Sequence, residues 1–192
     1  MFLTNCLDSE FIVSEVITKK STRKPSAPFI TSTLQQEAST KLRMSPKNTM
    51  ASAQKLFEAG YITYMRTDSV ELSKEAIDMI SDHINKNYGE DYINIKQYKG
   101  KSQNSQEAHE AIRPCKIKIT NVSDDESMTN YEDRLYRLIW KRTVASQMSS
   151  AKVEICTTKI SVSKSPDYYF TTKSEKILFD GFLKVYKPTN DN

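Results

Sequence analysis

The sequence predicts an α+β fold in which a helical domain is inserted into a small β-rich domain. Residues 9–20, "SEFIVSEVITKK", alternate loosely between apolar and polar side chains, as a strand does. A helix-rich block follows, and beyond about residue 150 the apolar period returns to two, in "AKVEICTTKISVS". We therefore predict a first β segment at 1–28, a helical domain at 29–149 and a second β segment at 150–192.

Serine and threonine residues predict where the helices of this block begin. Ser32 with Gln35, and Thr129 with Glu132, have the spacing of a capping box. Ser45, followed by Pro46, and Ser73 are each predicted to cap a helix. Gly60 is placed to end the helix that begins after Ser45, and Gly89 to end the helix that begins after Ser73. The apolar faces are Met50, Ala53, Leu56 and Phe57; Ala76, Ile77, Ile80 and Ile84; and Leu135, Leu138, Ile139, Arg142 and Ala145.

The connections between these helices are predicted from shorter patterns. "YITYM" at 61–65 is too short for a helix and is predicted to be extended, and the polar residues 94–106 form a loop. "EAHEAIRP" at 107–114 is predicted to be a short helix stopped by its proline. After 150, "DYYFTTK" and "KILFDGFLKVY" are predicted to be two further strands.

Composition excludes several classes of protein. With 38% apolar and 27% charged residues, only 4 Gly and 6 Pro, the chain is typical of a globular protein. A net charge of +4 permits an anionic partner without requiring one. The 3 cysteines contain no C-x-x-C pair, so neither a disulfide framework nor a zinc site is expected. A reducing, cytoplasmic location is predicted instead. No apolar run approaches the roughly 20 residues of a membrane span, so no membrane partner is predicted.

The main chemical candidate is "YMRTDS", residues 64–69. A phenol is a weak nucleophile at neutral pH, and a nearby cation favours its reactive phenolate form. Arg66 follows Tyr64 by two residues, so in an extended segment both side chains lie on one side. A guanidinium can also bind a phosphate through two hydrogen bonds. The alternative is a half-buried aromatic followed by an ordinary helix-start turn, with Asp68 and Ser69 as turn residues.

His109 and Arg113 form a second candidate. Four residues apart on a helix they would share a face and could contact a phosphate together. The alternative is that the histidine is structural and that Glu107 and Glu110 belong to a solvated face. Asp124, Asp125 and Glu126 are interpreted as a solvated loop, and no metal ligands are predicted in this chain.

Five stretches, in order, resemble segments of the type IA DNA topoisomerases. "LFEAGYITYMRTDS" resembles the active-site tyrosine signature of that family. The other four are "SAPFITSTLQQEAS", "EAHEAIRP", "RLYRLIWKRTVASQM" and "LFDGFLKVY", and the likeness extends over roughly residues 10 to 186.

The resemblance implies an ATP-independent enzyme that breaks one DNA strand, passes another through the break and rejoins it. Tyr64 corresponds to the nucleophile, which becomes joined to a 5′ phosphate, and Arg66 to the arginine that steadies the scissile phosphate. His109 and Arg113 correspond to residues near the DNA phosphates. Thr67, Asp68 and Ser69 correspond to supporting residues of the tyrosine motif.

The resemblance also implies missing parts. Family members carry a Toprim domain, whose acidic residues bind Mg²⁺, and nothing in this sequence matches it. The rest of the DNA-binding domain beyond "GFLKVYKP" is also not present. We therefore expect the central part of such an enzyme, located with the DNA (on the nucleoid in a bacterium), with single-stranded DNA, the Toprim domain and the DNA-binding domain as partners. Alone, the chain is expected to be inactive.

Two other functions remain open. The chain could be a non-catalytic single-stranded DNA-binding module, which contacts phosphates through Arg66, His109, Arg113 and the basic helix at 131–147. It could also be a signalling protein in which Tyr64 is phosphorylated, although the apolar surroundings of Tyr64 argue against an exposed modification site. Only the topoisomerase function requires Tyr64 to become covalently attached to DNA.

Overall fold

The structure is a computed structural model that describes residues 2–99 and 110–187. Within these ranges it contains five α-helices and a three-stranded antiparallel sheet, so the predicted α+β class is confirmed. The helices are α1 (Phe2–Leu7), α2 (Thr31–Leu42), α3 (Pro46–Glu58), α4 (Lys74–Tyr88) and α5 (Asn130–Ser146). The strands are β1 (Phe11–Arg23), β2 (Ala151–Val162) and β3 (Tyr169–Phe179), and short 3₁₀ helices span Glu90–Tyr92 and Gly181–Lys184.

The chain forms two compact units. One contains Met1–Arg23 and Ala151–Asp180, and the other contains Lys24–Ser150 and Gly181–Asn192. We call them the sheet unit and the helical unit. The sequence-based boundaries at 28/29 and 149/150 remain a prediction.

The sheet unit is built on β2, which pairs with a neighbour on each side. Phe11 of β1 lies opposite Val162 of β2, and Arg23 opposite Ala151, with a bulge between Val13 and Glu15. Along the other edge, β3 runs antiparallel to β2, with Ser161 opposite Tyr169. β3 is exposed along nearly its whole length, and most large side chains of β1 are exposed as well.

The prediction of two strands after residue 166 is wrong. A single strand, β3, covers residues 169–173 of the first predicted run but only 176–179 of the second, and the chain then enters the 3₁₀ helix Gly181–Lys184. Gly181 has φ +49, a left-handed conformation that ends the extended backbone. Phe182 and Leu183 are then buried, and the Phe182 N–H donates to the Ser149 carbonyl at 2.9 Å. Both partners belong to the helical unit.

Helix starts in the helical unit follow three of the four predicted caps. The hydroxyls of Ser45, Ser73 and Thr129 accept backbone N–H groups of α3, α4 and α5, and Thr129 with Glu132 completes a capping box. The prediction that Ser32 caps α2 is wrong, because α2 begins at Thr31. The cap position is Ile30, whose N–H donates to the Thr33 hydroxyl at 3.1 Å.

The core of the helical unit lies where α3 and α5 pack against each other and against α2. The predicted faces of α4 and α5 are confirmed, because their members are buried: Ala76, Ile77, Ile80 and Ile84, and Leu135, Leu138, Ile139, Arg142 and Ala145. The buried aromatic residues of α5 also bond to the chain before the helix. Trp140 Nε1 donates to the Ile117 carbonyl at 2.9 Å, and the Tyr136 hydroxyl to the Ile119 carbonyl at 2.8 Å.

The three cysteines, Cys6, Cys115 and Cys156, are free thiols. In the part of the chain that the structure describes, no three His, Cys, Asp or Glu side chains lie close enough together to bind a metal ion. None of the described helices is long and apolar enough to cross a bilayer.

Candidate active site around Tyr64

The segment that carries Tyr64 begins with a sharp reversal after α3. Gly60 has φ +75 and follows the last residues of the helix. The Gly60 N–H donates to the Phe57 carbonyl and the Tyr61 N–H to the Leu56 carbonyl, each at 2.9 Å. These two bonds form a Schellman motif, which ends the helix and directs the chain away from it.

Side chains of the segment then alternate between the core and solvent. Met65 is 1% exposed and Thr67 is 9% exposed, whereas Tyr64 is 42% exposed. Arg66 and Asp68 are exposed as well. Residues 64, 66 and 68 are thus the exposed positions of the segment, although the chain bends at residues 65 and 66. The buried residues between them fix the backbone that presents these side chains.

Thr63 fixes this backbone from one direction. Its N–H donates to the Arg113 carbonyl at 2.9 Å, and its hydroxyl donates to the Ala111 carbonyl at 2.7 Å. The same hydroxyl accepts the Arg113 N–H at 3.0 Å. Ile62 pairs with Pro114 in an isolated antiparallel bridge. Residues 61–63 are therefore held against 111–115 as a short ladder.

Thr31, at the start of α2, fixes the backbone from the other direction. Its hydroxyl donates to the Met65 carbonyl at 2.7 Å and accepts the Thr67 N–H at 2.9 Å. The Thr31 N–H donates to the Thr67 carbonyl at 3.0 Å. Neither Thr31 nor Thr63 was singled out from the sequence, because their partners lie far along the chain. Their hydrogen bonds lie on both sides of Tyr64 and restrict its backbone.

The phenol ring is positioned by an aromatic contact. Phe57, in the last turn of α3, meets Tyr64 edge to face, with ring centroids 5.2 Å apart. Within residues 2–99 and 110–187, the Tyr64 hydroxyl has no hydrogen-bond partner. The ring is therefore oriented while its oxygen remains open to an incoming group.

A cleft of about 450 Å³ lies beside Arg66 at the N-terminus of α2. It is lined by Ile30, Thr31, Ser32, Gln35, Arg66, Thr67 and Asp68. The positive end of a helix dipole and a guanidinium together favour an anion. Neither Arg66 nor Asp68 forms an ion pair with another described residue. The cleft is therefore suited to a phosphate group, although Asp68 brings one negative charge to its wall.

Thr67 and Ser69 shape the turn that follows. The Thr67 hydroxyl accepts the Ser69 N–H at 3.0 Å, and the Ser69 hydroxyl accepts the Glu71 N–H at 3.2 Å. These are local side-chain turns, which lead the chain toward the Ser73 cap of α4. Both hydroxyls thus support the conformation of the motif from within the protein.

The predicted helix over 107–114 is wrong for the residues that are described. Ile112 and Pro114 make antiparallel bridges to Phe29 and Ile62, so residues 110–114 are extended. Extension is favoured here because carbonyls on both sides of Ile112 accept hydrogen bonds from Thr63. Arg113 is therefore not on a helix, and His109 lies outside the described residues.

Arg113 faces into the protein. Its Nη2 contacts the Glu110 carboxylate at 2.6 Å, its Nη1 donates to the Pro114 carbonyl at 3.0 Å, and its side chain is 12% exposed. Glu110 in turn accepts the Ser73 N–H at 2.7 Å. Burial of Glu110 opposes ionisation, but the hydrogen bonds from Arg113 and Ser73 outweigh it and lower the pKa of its carboxyl. Glu110 is thus a structural residue at the start of α4, and the prediction of a solvated face is wrong for it.

Tyr61, the neighbouring phenol, is differently placed. Its hydroxyl donates to Asp125 at 2.6 Å, and Asp125 also accepts the Ser127 hydroxyl at 2.6 Å. The hydrogen bond to Asp125, with a contribution from burial, raises the pKa of the Tyr61 phenol. The interpretation of the acidic run as merely solvated is therefore wrong for Asp125. The Tyr61 hydroxyl is therefore engaged in a hydrogen bond with Asp125, whereas the Tyr64 hydroxyl has no partner among the described residues.

Comparison with known proteins identifies the family. A family model described as DNA topoisomerase matches residues 1–192. The chain belongs to the DNA topoisomerase family. The predicted resemblance to type IA DNA topoisomerases is thereby confirmed, and it extends over the whole chain.

Individual relatives agree with this topoisomerase assignment. The chain is 48% identical over 197 residues to "DNA topoisomerase 1 type prokaryotic" of Acanthamoeba polyphaga mimivirus, covering 100% of this chain and 23% of that protein. It is 49% identical over 175 residues to DNA topoisomerase 1 of Vibrio cholerae, covering 91% of this chain and 20% of that one. The structure matches full-length topoisomerase I from Thermotoga maritima with a TM-score of 0.81 and 34% identity, over 97% of this chain and 31% of that one. This topoisomerase sequence thus spans less than a third of the length of these relatives.

Proposed function

We propose that this chain supplies the nucleophile of a type IA DNA topoisomerase, and that Tyr64 is that nucleophile. The observation that carries the proposal is the presentation of Tyr64. Its ring is oriented by Phe57, and its hydroxyl has no hydrogen-bond partner among the described residues. Tyr64 lies two residues before the exposed Arg66, on a backbone that Thr31 and Thr63 fix. Positioning of this kind contributes much of the rate enhancement in phosphoryl transfer.

The proposed reaction is a transesterification on single-stranded DNA. The Tyr64 oxygen attacks a backbone phosphorus, the bond from phosphorus to the 3′ oxygen breaks, and Tyr64 becomes joined to the 5′ phosphate of the downstream strand. The phenol proton leaves and a proton reaches the departing 3′ oxygen, so the step is balanced. Attack by that 3′ hydroxyl restores the DNA and the phenol. Because one phosphodiester replaces another, no ATP is required.

Arg66 is proposed to bind the scissile phosphate. Its guanidinium can make two hydrogen bonds to phosphate oxygens and offset the charge that develops during attack. The cleft at the N-terminus of α2 offers a site for this or an adjacent phosphate. Thr67, Asp68 and Ser69 support the motif in this proposal. Arg113 acts indirectly, by holding Glu110 and the 111–115 segment that pairs with Thr63.

The helical unit is proposed to be inserted into a β-rich arch that moves as a strand gate. Most of the helical unit, Lys24–Ser150, lies in the chain between the two parts of the sheet unit. After cleavage, Tyr64 would hold one DNA end while a second strand passes through the opening.

The Mg²⁺ ion is proposed to be bound by a Toprim domain that is not part of this chain. The described residues do not fit a metal site, since no acidic cluster is present among them and Asp68 is the one carboxylate that lines the cleft. The isolated chain is accordingly proposed to bind DNA without cleaving it, and a further DNA-binding domain is proposed to complete the enzyme.

Covalent trapping tests this proposal. The chain is incubated with single-stranded DNA and Mg²⁺, with and without a Toprim domain from a relative, and then denatured. Because the protein joins the 5′ phosphate, a label at the 3′ end of the DNA should appear on the protein and a label at the 5′ end should not. A label that requires the Toprim domain and is lost in Tyr64→Phe is expected. Binding without any covalent label, even with the Toprim domain, would instead support the non-catalytic DNA-binding function.

A further inference from the structure

A basic groove of about 500 Å³ lies between α5 and the segment after Gly181, within the helical unit. We call it the α5 groove. Six of its lining residues are cationic: Lys41, Arg134, Arg137, Lys141, Lys184 and Lys187. The other described lining residues are Leu42, Leu138, Leu183, Val185 and Tyr186, so none is acidic. The groove shares no lining residue with the cleft beside Arg66.

Two of the groove cations form ion pairs with carboxylates next to the groove. Asp133 contacts Arg137 at 2.7 Å and Glu37 contacts Lys41 at 3.2 Å. Even so, the Arg137 side chain remains 46% exposed. Arg134 and Lys141 are exposed as well, so the α5 side of the groove presents three cationic side chains to solvent.

The cations of α5 are arranged as a row. Arg134, Arg137 and Lys141 are spaced by three and four residues, so they lie on one face of the helix. At 1.5 Å per residue, the row extends over roughly 10 Å. In a duplex, one DNA strand carries a phosphate about every 3.4 Å along the axis, and the spacing between phosphates increases when the strand is stretched. The length of the row therefore matches about three successive phosphates.

We propose that the α5 groove binds the backbone of a single DNA strand. This inference rests on the proposed DNA function and adds a second DNA-contacting surface to it. A single strand is favoured because the groove combines cations with apolar side chains such as Leu42 and Val185. Unstacked bases and sugars offer apolar surface to such a floor, whereas a duplex keeps its bases stacked inside.

Salt-dependent binding by the full chain tests the inference. In the groove variant, Arg134→Ala, Arg137→Ala and Lys141→Ala are combined. A matched control, Lys47→Ala, Lys86→Ala and Lys116→Ala, removes three exposed cations elsewhere on the helical unit. Affinity for a fluorescent single strand is measured from 50 to 200 mM salt. The groove variant should reduce the magnitude of the slope of log K against log salt by about two, and the control should leave it unchanged.

Lysine footprinting locates the bound strand. The chain is acetylated with and without single-stranded DNA, and modification is read by mass spectrometry. Lys141 and Lys187 should be protected relative to Lys47 and Lys86. Equal protection at all four, equal protection by duplex DNA or by polyglutamate, or an unchanged salt slope in the groove variant would overturn the inference. In the Tyr64→Phe variant, single-stranded DNA should protect the same lysines. A failure of Tyr64 to attach to DNA would therefore not affect the test of binding in the α5 groove.

Discussion

The ring of Tyr64 meets the edge of Phe57, with centroids 5.2 Å apart and planes inclined by 66°. Phe57 belongs to the last turn of α3, and Tyr64 follows after the reversal at Gly60. Among the described residues, the orientation of the phenol is therefore set by the ring of Phe57 and not by a hydrogen bond to the Tyr64 hydroxyl. This contact connects the fold of the helical unit to the proposed reaction.

Phe57→Ala should slow covalent attachment while destabilising the protein only slightly. An edge-to-face pair contributes about 0.5–1.5 kcal/mol, so we expect attachment to slow by about 2- to 12-fold and stability to fall by about 1 kcal/mol. The loss of stability is small because Phe57 is already 37% exposed. Single-turnover trapping and urea unfolding measure the two effects. The neighbour Leu56, fully buried, is the control, and Leu56→Ala should cost about 2–5 kcal/mol. An unchanged attachment rate in Phe57→Ala would contradict a positioning role.

Thr31→Val should destabilise the helical unit by about 1–3 kcal/mol, because it leaves the Met65 carbonyl and the Thr67 N–H without their partner. The change keeps the size and branching of the side chain. Thr40→Val is the matched control on the same helix, since the exposed Thr40 hydroxyl contacts only the Gln36 carbonyl of its own helix at 2.9 Å. Urea unfolding should show a clear loss for Thr31→Val and a change within about 0.5 kcal/mol for Thr40→Val. Equal losses would mean that the Thr31 hydroxyl does not fix the segment.

Glu110→Gln should lower stability at neutral pH, and the deficit should disappear in acid. The pKa of the Glu110 carboxyl is lowered in the folded protein, despite its burial, by hydrogen bonds from Arg113 and Ser73. A lowered folded pKa means that the stabilisation is present above the ordinary glutamate pKa of about 4.3 and is lost as pH falls through the folded value. Unfolding of both proteins is measured between pH 7 and pH 3. Glu126→Gln, at an exposed loop position, should show little change. A Glu110→Gln deficit that stays constant down to pH 3 would contradict the ion pair.

Gly181→Ala should be far more costly than Gly60→Ala. Both glycines have positive φ, so each alanine carries a left-handed strain of about 1–2 kcal/mol. A Cβ at Gly181 would also lie 2.4 Å from the Ser149 carbonyl oxygen, whereas a Cβ at Gly60 meets no atom within 4 Å. We therefore expect thermal unfolding of Gly181→Ala at a clearly lower temperature than that of Gly60→Ala. Similar unfolding temperatures would show that the segment after β3 is not packed closely against Ser149.

Local patterns in the sequence predicted much of this fold. Ser45, Ser73 and Thr129 cap helices because their partners lie two or three residues away, within the range of a motif. The burial of Ile77 and Leu138 follows in the same way from helical periodicity. The motif "YMRTDS" likewise identified the exposed side chains of Tyr64 and Arg66, which alternate with the buried Met65 and Thr67.

Distant contacts account for what the sequence could not predict. The Thr31 hydroxyl bonds to the chain 34 residues away at Met65, and Glu110 bonds 37 residues away at Ser73. No local spacing encodes either pair. The helix predicted for 107–114 failed for the same reason, since its described residues are held extended by Phe29, Ile62 and Thr63. Tertiary hydrogen bonds here override a local helical preference.

Identification of the DNA-linked residue shows directly whether Tyr64 is the nucleophile. The chain is trapped on single-stranded DNA with a Toprim domain and Mg²⁺, the DNA is trimmed by nuclease, and tryptic peptides are fragmented in a mass spectrometer. Residues 56–66 form one peptide that contains both Tyr61 and Tyr64, so fragmentation places the nucleotide on one of the two. We predict a nucleotide 5′-phosphate on Tyr64, with Tyr61 unmodified. A nucleotide on Tyr61, or on a residue outside this peptide, would contradict the account.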